Sequence, residues 1–252
     1  MYLIGFLEGG QCKLIVGLRC SDGSVLMCAD RERSDQFGKR SIDKIFRINT
    51  KQGMFLVAGA GRGSLVDNTL ARLDKELKAA ADNSNVVLIE KHQDIIQTVL
   101  YEIHEEYVWK NRDENNRAVK LVIAASFIAS NSIPVLYTTD EEIVYPQQLY
   151  ACCGSGEDLA YYFIDKLYSD HLATEVAILL ASFVFREVSR SVSGVGLGTD
   201  IQLLGAKPIN WRRLPPDDAL RLEKETPEMV DTIADAWNAK IKIPEWLTKF
   251  CT

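Results

Sequence analysis

Leu14-Ile15-Val16-Gly17-Leu18-Arg19-Cys20-Ser21-Asp22-Gly23-Ser24-Val25-Leu26-Met27-Cys28-Ala29-Asp30 is the stretch that decides the fold. Two apolar runs flank Ser21-Asp22-Gly23, whose residue types favour a tight turn. The pattern predicts two adjoining strands, the second ending in Ala29-Asp30. Fourteen residues later comes Lys44-Ile45-Phe46-Arg47-Ile48, followed by Leu56-Val57-Ala58-Gly59. Residues 43–48 and 53–58 read as another strand pair turning at Thr50-Lys51-Gln52-Gly53.

Beyond residue 60 the period changes. Leu65, Val66, Thr69, Leu70, Leu73 and Leu77 fall at helical spacing, and the helix ends in the Ala79–Asn85 break. Ile95, Ile96, Val99, Leu100, Ile103 and Tyr107 mark a second amphipathic helix ending near Asn111. An apolar run over 119–128 and short strands at 135–138, 142–145 and 149–153 follow. Two more helices, at about 157–168 and around Val176–Glu187, precede a last strand, Asp200–Leu204. Strands, two helices, strands, two helices, strand is not the single alternation of a doubly wound parallel sheet. Two stacked sheets, each covered outside by a helix pair, bury these elements most economically. The predicted class is α+β, a four-layer αββα sandwich. Residues 1–206 form its domain, with 1–12 as an N-terminal extension or propeptide. Residues 207–252 are read as a C-terminal extension packing on the same domain.

Composition narrows the function classes. The 252 residues are 47% hydrophobic and 25% charged, ordinary for a globular protein, with a net charge of -6. That balance argues against nucleic acid as a partner. Trp211-Arg212-Arg213, the one dense basic cluster, reads as a solvated tail. The six cysteines form no C-x-x-C pair and lack zinc spacing. Cys152 and Cys153, adjacent on a strand, should face opposite ways. Buried reduced thiols imply a reducing compartment, and a cytoplasmic location is expected. Met1–Glu8 is apolar but has no basic n-region, and no run is long enough for a membrane span.

The order of motifs resembles the opening of a proteasome β-type or HslV-like subunit, a member of the N-terminal-nucleophile hydrolases. The resemblance covers roughly residues 13–205. It implies a peptidase whose N-terminal threonine attacks the scissile carbonyl, its own amine acting as base once a propeptide is removed. Lys44 sits where the family's catalytic lysine sits, and Asp30 where its acidic partner sits. Gly59 falls at the oxyanion-hole N–H. Ser155, in Gly154-Ser155-Gly156, matches the family's serine turn, and Ser193, in Ser191-Val192-Ser193-Gly194, its downstream serine. Catalytically silent α-type subunits share the Lys44 stretch, so that residue alone marks the fold and not the activity.

Two departures weigh on catalysis. With Val16-Gly17-Leu18 on the family's first strand, the nucleophile position is Lys13, which has neither hydroxyl nor thiol. Arg190 stands where the downstream aspartate belongs, and both changes are expected to crowd cations around Lys44. The reading is therefore a structural or regulatory subunit with a degenerate site, assembling with copies of itself or with related subunits. An alternative is a peptidase or amidohydrolase using Cys12, freed by cleavage after Gln11. Cys12 is one residue out of register, which turns a strand side chain to the other face. A third reading, from another class, is nucleotide binding at Gly59-Ala60-Gly61-Arg62-Gly63-Ser64. That stretch follows a strand and opens a helix, but with G-x-G-x-G spacing. No cofactor or metal is expected: His92, His104 and His171 have no motif partners. His104, among Glu102, Glu105 and Glu106, reads as part of a solvated helix face.

Overall fold

The computed structural model describes residues 14–35, 38–83, 85–110, 119–128, 133–196, 198–205 and 210–222. Its first sheet has the strand order β10-β1-β2-β11-β12, formed by β1 (Ile15–Arg19), β2 (Val25–Asp30), β10 (Tyr150–Cys153), β11 (Thr199–Leu204) and β12 (Trp211–Arg213). The second runs β5-β6-β7-β8-β9, from β5 (Ile45–Asn49), β6 (Gly53–Ala60), β7 (Lys120–Phe127), β8 (Val135–Asp140) and β9 (Ile143–Gln147). A separate hairpin joins β3 (Glu32–Asp35) to β4 (Gly38–Ser41). The helices are α1 (Gly63–Asp82), α2 (Leu88–Ile103), α3 (Glu157–Leu167) and α4 (Thr174–Ser191).

Strand alternation divides the apolar side chains into three cores, one per interface between layers. Along β6, Phe55 and Val57 join Leu65, Leu73, Leu77, Ile96 and Leu100 of the α1–α2 pair. Leu56, Ala58 and Ala60 point the other way, into a core between the sheets with Ile15, Met27, Val122 and Leu136. The opposite face of the first sheet, carrying Val16, Leu18, Leu26 and Cys28, packs on Ala160, Ile164, Val184 and Val188 of α3 and α4. Cys152 enters this outer core and Cys153 the inner one, as their adjacency requires. Two helices, two sheets and two helices thus stack in the αββα order expected. The sheets approach closely at Gly17, where a Cβ would lie 2.7 Å from Leu136 Cδ1.

Local chemistry fixes the joints. In the β1–β2 turn Asp22 accepts the Ser24 N–H (2.9 Å), and Gly23 takes φ +81°, which a side chain would disfavour. Gln52, in the β5–β6 turn, donates to Ala81 O (3.1 Å) and Val86 O (2.9 Å) and accepts the Leu88 N–H (2.9 Å). One side chain therefore satisfies orphan groups at the end of α1 and the start of α2. Among the described residues, no helix is long and apolar enough to cross a membrane.

Three readings need correction. Trp211–Arg213 is no solvated tail: it is β12, paired with β11 at the edge of the first sheet. Three residues are too few for periodicity to register. The β3–β4 hairpin was not foreseen, because Glu32–Ser41 is almost wholly polar and has no alternation to read. His104 does not face solvent. The chain leaves α2 through a wider π-helical turn, His104–Trp109, and His104 there is fully buried. Its Nε2 accepts the Val119 N–H (3.0 Å), so the neutral ring carries its proton on Nδ1, which has no partner among the described residues. His92 is also buried, with Nε2 on the Tyr137 hydroxyl (2.9 Å) and Nδ1 on Leu88 O (3.2 Å).

Burial lowers the pKa of both rings, against weaker opposing effects from nearby acidic groups and backbone contacts. Below the ordinary value of 6.5 the unfolded chain takes up protons that the folded protein resists. Their stabilisation is therefore complete above that pH and is lost as pH falls through the lowered folded values. Thermal unfolding midpoints should fall as the pH is taken from about 7.5 to about 5.5, and His104→Gln should flatten that slope. An unchanged slope in the variant would show that His104 does not contribute.

Candidate active site

The chemistry-bearing residues gather at one end of the first sheet. Strand β1 begins there and β2 ends there, and the register pairs Ile15 with both Ala29 and Cys153. Thr199, the first residue of β11, pairs with Asp30. Hence the turn after β10, which holds Ser155, and the loop before β11, which follows Ser193, open at the same end as Asp30.

Asp30 is fully buried, yet every oxygen is matched. Oδ1 accepts the Leu14 N–H (3.0 Å), while Oδ2 accepts the Glu32 N–H (3.2 Å) and the Lys44 ammonium (2.7 Å). Lys44 also donates to Glu32 O (2.5 Å). The two side chains are only 1% and 7% exposed. In such surroundings neither charge is tolerable alone, and extra hydrogen bonds are needed to offset desolvation. Those bonds come from backbone at the two ends of a chain reversal, Leu14 and Glu32.

The pair stands between two clefts. Lys44 lines one of about 220 Å³, with Asp43, Phe46, Gly59, Val66 and Leu70 among its walls. Asp30 lines the other, of about 310 Å³, with Arg186 and Ser189 of α4 and with Val195, Gly196, Gly198 and Thr199. Gly59 thus shares the cleft of Lys44. It also has a packing reason to be glycine, since a Cβ would lie 2.7 Å from Val66 Cγ1 and 3.0 Å from Leu121 Cδ2. Gly63, also in that wall, starts α1.

The remaining expected residues fall in different places. Ser155 is exposed in the turn between Cys153 and Glu157, and Ser193 is exposed in the turn after α4. Neither is among the described residues lining the two clefts. Cys12 and Lys13 lie outside the described residues. Arg190 does not crowd Lys44 as expected: it is exposed at the last turn of α4 and paired with Glu187 (3.0 Å). That placement also suits the helix dipole. Among the described residues no group of three His, Cys, Asp or Glu side chains could hold a metal.

Sequence reasoning missed the groups around Asp43. Arg31 Nη2 lies 3.0 Å from Asp43, Arg213 bridges Asp43 and Asp200 (Nε–Oδ1 2.9 Å), and Asp200 is buried. The Asp43 carboxyl is held below its usual range chiefly by the Arg213 hydrogen bond, with burial opposing. Burial pushes Asp200 up, against the pull of Arg213 and Gln202. Placing aromatic Trp211 and Arg213 on one face of a short strand between prolines was the available signal.

Two antiparallel sheets between helix pairs form the αββα sandwich of the N-terminal-nucleophile hydrolase fold. The family model described as proteasome subunit matches residues 11–201, and the chain belongs to that family. Relatives include the proteasome subunit alpha of Thermococcus sibiricus, 25% identical over 224 residues, covering 86% of this chain and 78% of the relative. The proteasome subunit alpha of Pyrococcus horikoshii matches to the same extent. Among solved structures, the helical assembly of the Anbu complex from Pseudomonas aeruginosa superposes with a TM-score of 0.74. It is 15% identical, with 92% of this chain and 98% of that chain covered. Anbu from Yersinia bercovieri, described as an ancestral beta-subunit, gives a TM-score of 0.70 at 14% identity, covering 92% and 99%. The sequence relatives are thus alpha subunits, while the fold is shared with Anbu.

The Asp30–Lys44 pair makes an asymmetric demand. Asp30→Ala strands an ammonium in a dry site and should cost about 3–5 kcal/mol. Lys44→Met leaves a carboxylate still bonded to two N–H groups and should cost less. Urea unfolding of both variants checks the order, and equal losses would mean the pair is not buried as described.

Proposed function

We propose that this chain is a proteasome-like subunit of β-type layout that assembles with copies of itself or with related subunits, and whose threonine-type peptidase site lacks its nucleophile. The observation that supports this reading is the Asp30–Lys44 pair, buried and fully bonded at the start of β1. In a working site of this class the lysine ammonium lowers the pKa of a neighbouring hydroxyl or thiol, and backbone N–H groups receive the oxyanion. The Lys44 ammonium, held by Asp30, supports the first task in this reading. Lys13, at the nucleophile position, offers a third kind of group, an amine on a long chain that cannot form the ester of a threonine peptidase. Ser155 and Ser193, at the same end of the sheet, take the family's supporting serine roles in this reading, and Gly59 the oxyanion N–H. The role left to the chain is structural or regulatory.

A second reading keeps the chemistry, with Cys12 released by cleavage after Gln11 as nucleophile. What favours it is the intact frame itself: an ammonium held in place beside an open cleft of about 220 Å³ would suit a thiolate. Nucleotide binding at Gly59–Ser64 draws less support, because contact with Val66 and Leu121 already accounts for Gly59. Residues 207–252 are proposed to extend the same domain, in line with the pairing of β12 to β11.

Intact-mass spectrometry separates the first two readings. The expected species begins at Met1 or Tyr2, and fluorogenic peptides stay uncleaved. A species beginning at Cys12, with hydrolysis abolished by Cys12→Ala, would replace the degenerate subunit with a cysteine peptidase. Light scattering on a sizing column should report an oligomer, and a strict monomer would remove the assembly from the proposal.

A further inference from the structure

Lys44 belongs to no strand or helix. It ends the connection Ile42–Lys44 between β4 and β5, a segment without regular hydrogen bonding of its own. Something else must therefore hold its backbone. The contacts of its odd-numbered neighbours show what does. Asp43 is bonded by Arg213, which also holds buried Asp200 through Nε (2.9 Å). Gln202 donates to Ile45 O (3.4 Å) and to Asp200 Oδ2 (3.1 Å), and accepts the Trp211 indole N–H (3.0 Å). The Arg47 guanidinium lies 4.0 Å from the Trp211 ring centroid. Residues 43, 45 and 47 thus all meet β11 and β12.

Asp43 and the Ile45 carbonyl, on either side of Lys44, are thus both held by β11 and β12, which fixes the backbone from which the Lys44 side chain reaches Asp30 and Glu32 O. We propose that β12 is a clamp for the site, with Arg213 the positioning residue that sets Lys44 through Asp43 and Asp200. This rests on the reading of Lys44 as the site's cation, but the geometry does not require that the site be active. Arginine suits the task because its planar fork can bond two carboxylates at once, whereas a lysine ammonium acts as a point charge. Arg31, bonded to Asp43 from the other side (3.0 Å), is the second cation of the cluster, and it belongs to the chain between β2 and β3. Arg213 brings in β12, so Trp211–Arg213 becomes part of the site's support.

The clamp is tested by competitive acylation of the full-length protein with acetic anhydride, read by peptide mass spectrometry. The rate at Lys44 is normalised to Lys75, whose side chain is 80% exposed. In the wild type Lys44 should be strongly protected, because its amine is buried and bonded. Arg213→Ala should raise the normalised rate about tenfold or more, as expected when a charge-assisted bond in the network is lost. Asp43→Asn should act in the same direction. Arg213→Lys should restore part of the protection. Leu77→Ala, which loosens the distant α1–α2 core, should lower stability while leaving Lys44 protected. Wild-type protection at Lys44 in Arg213→Ala and Asp43→Asn would overturn the clamp, as would equal exposure in Leu77→Ala. Should Arg213→Ala fail to fold, Asp43→Asn and Arg213→Lys carry the same test. The readout is independent of peptidase activity. An inactive wild type with a responsive Lys44 keeps the clamp, and an active one with an unresponsive Lys44 loses it.

Discussion

A single buried ion pair closes the open end of the sandwich. Asp30 ends a strand of the first sheet, and Lys44 immediately precedes a strand of the second, so their contact ties one layer to the other. The energetics of burial make the contact strict. A carboxylate with 1% exposure and an ammonium with 7% cannot be left unmatched, and the backbone must supply what each lacks in the other. Leu14 and Glu32 do so, which fixes the path of the chain into β1 and out of β2. The site's geometry and the docking of the layers are therefore the same constraint.

Where the chain alternates strictly, the fold could be read before the structure was seen. The parity of Val16, Leu18, Leu26 and Cys28 against Ile15, Met27 and Ala29 assigns both faces of β1 and β2, and the two cores that flank the first sheet follow it residue by residue. The four helices announce themselves through apolar repeats of three and four. Legibility fails where burial is not what shapes the backbone. The β3–β4 hairpin is polar in sequence and offers no apolar alternation to read. His104 lies four residues beyond buried Leu100 and next to buried Ile103, and the exposed Glu102, Glu105 and Glu106 around it masked its inward face.

The site was legible in a narrower sense. Asp30 and Lys44 could be placed by the order of motifs, and the structure brings them together. Their support could not. Asp43, Asp200 and Arg213 come from distant parts of the chain, and charge complementarity between distant segments leaves no period in the sequence. Arg190 teaches the converse. Read against the family's pattern it looks like a charge reversal at the site, yet it sits on the outer surface of α4, neutralised by Glu187 three residues away. Its electrostatic effect is spent on its own helix.

A buried lysine can serve the fold of this architecture without serving catalysis. Lys44 stabilises the meeting of two sheets whether or not any substrate is cleaved, since removing its partner would leave a buried charge unpaired. A residue with a structural task of that size is no witness to catalysis by itself. The testimony must come from the group that would make the bond, and at that position the sequence offers Lys13, or Cys12 after a cleavage. An ammonium held by Asp30 can polarise a neighbouring hydroxyl or thiol, but it cannot replace one. The chemistry of the chain therefore turns on the residues just before Leu14, while its fold turns on the pair just behind them.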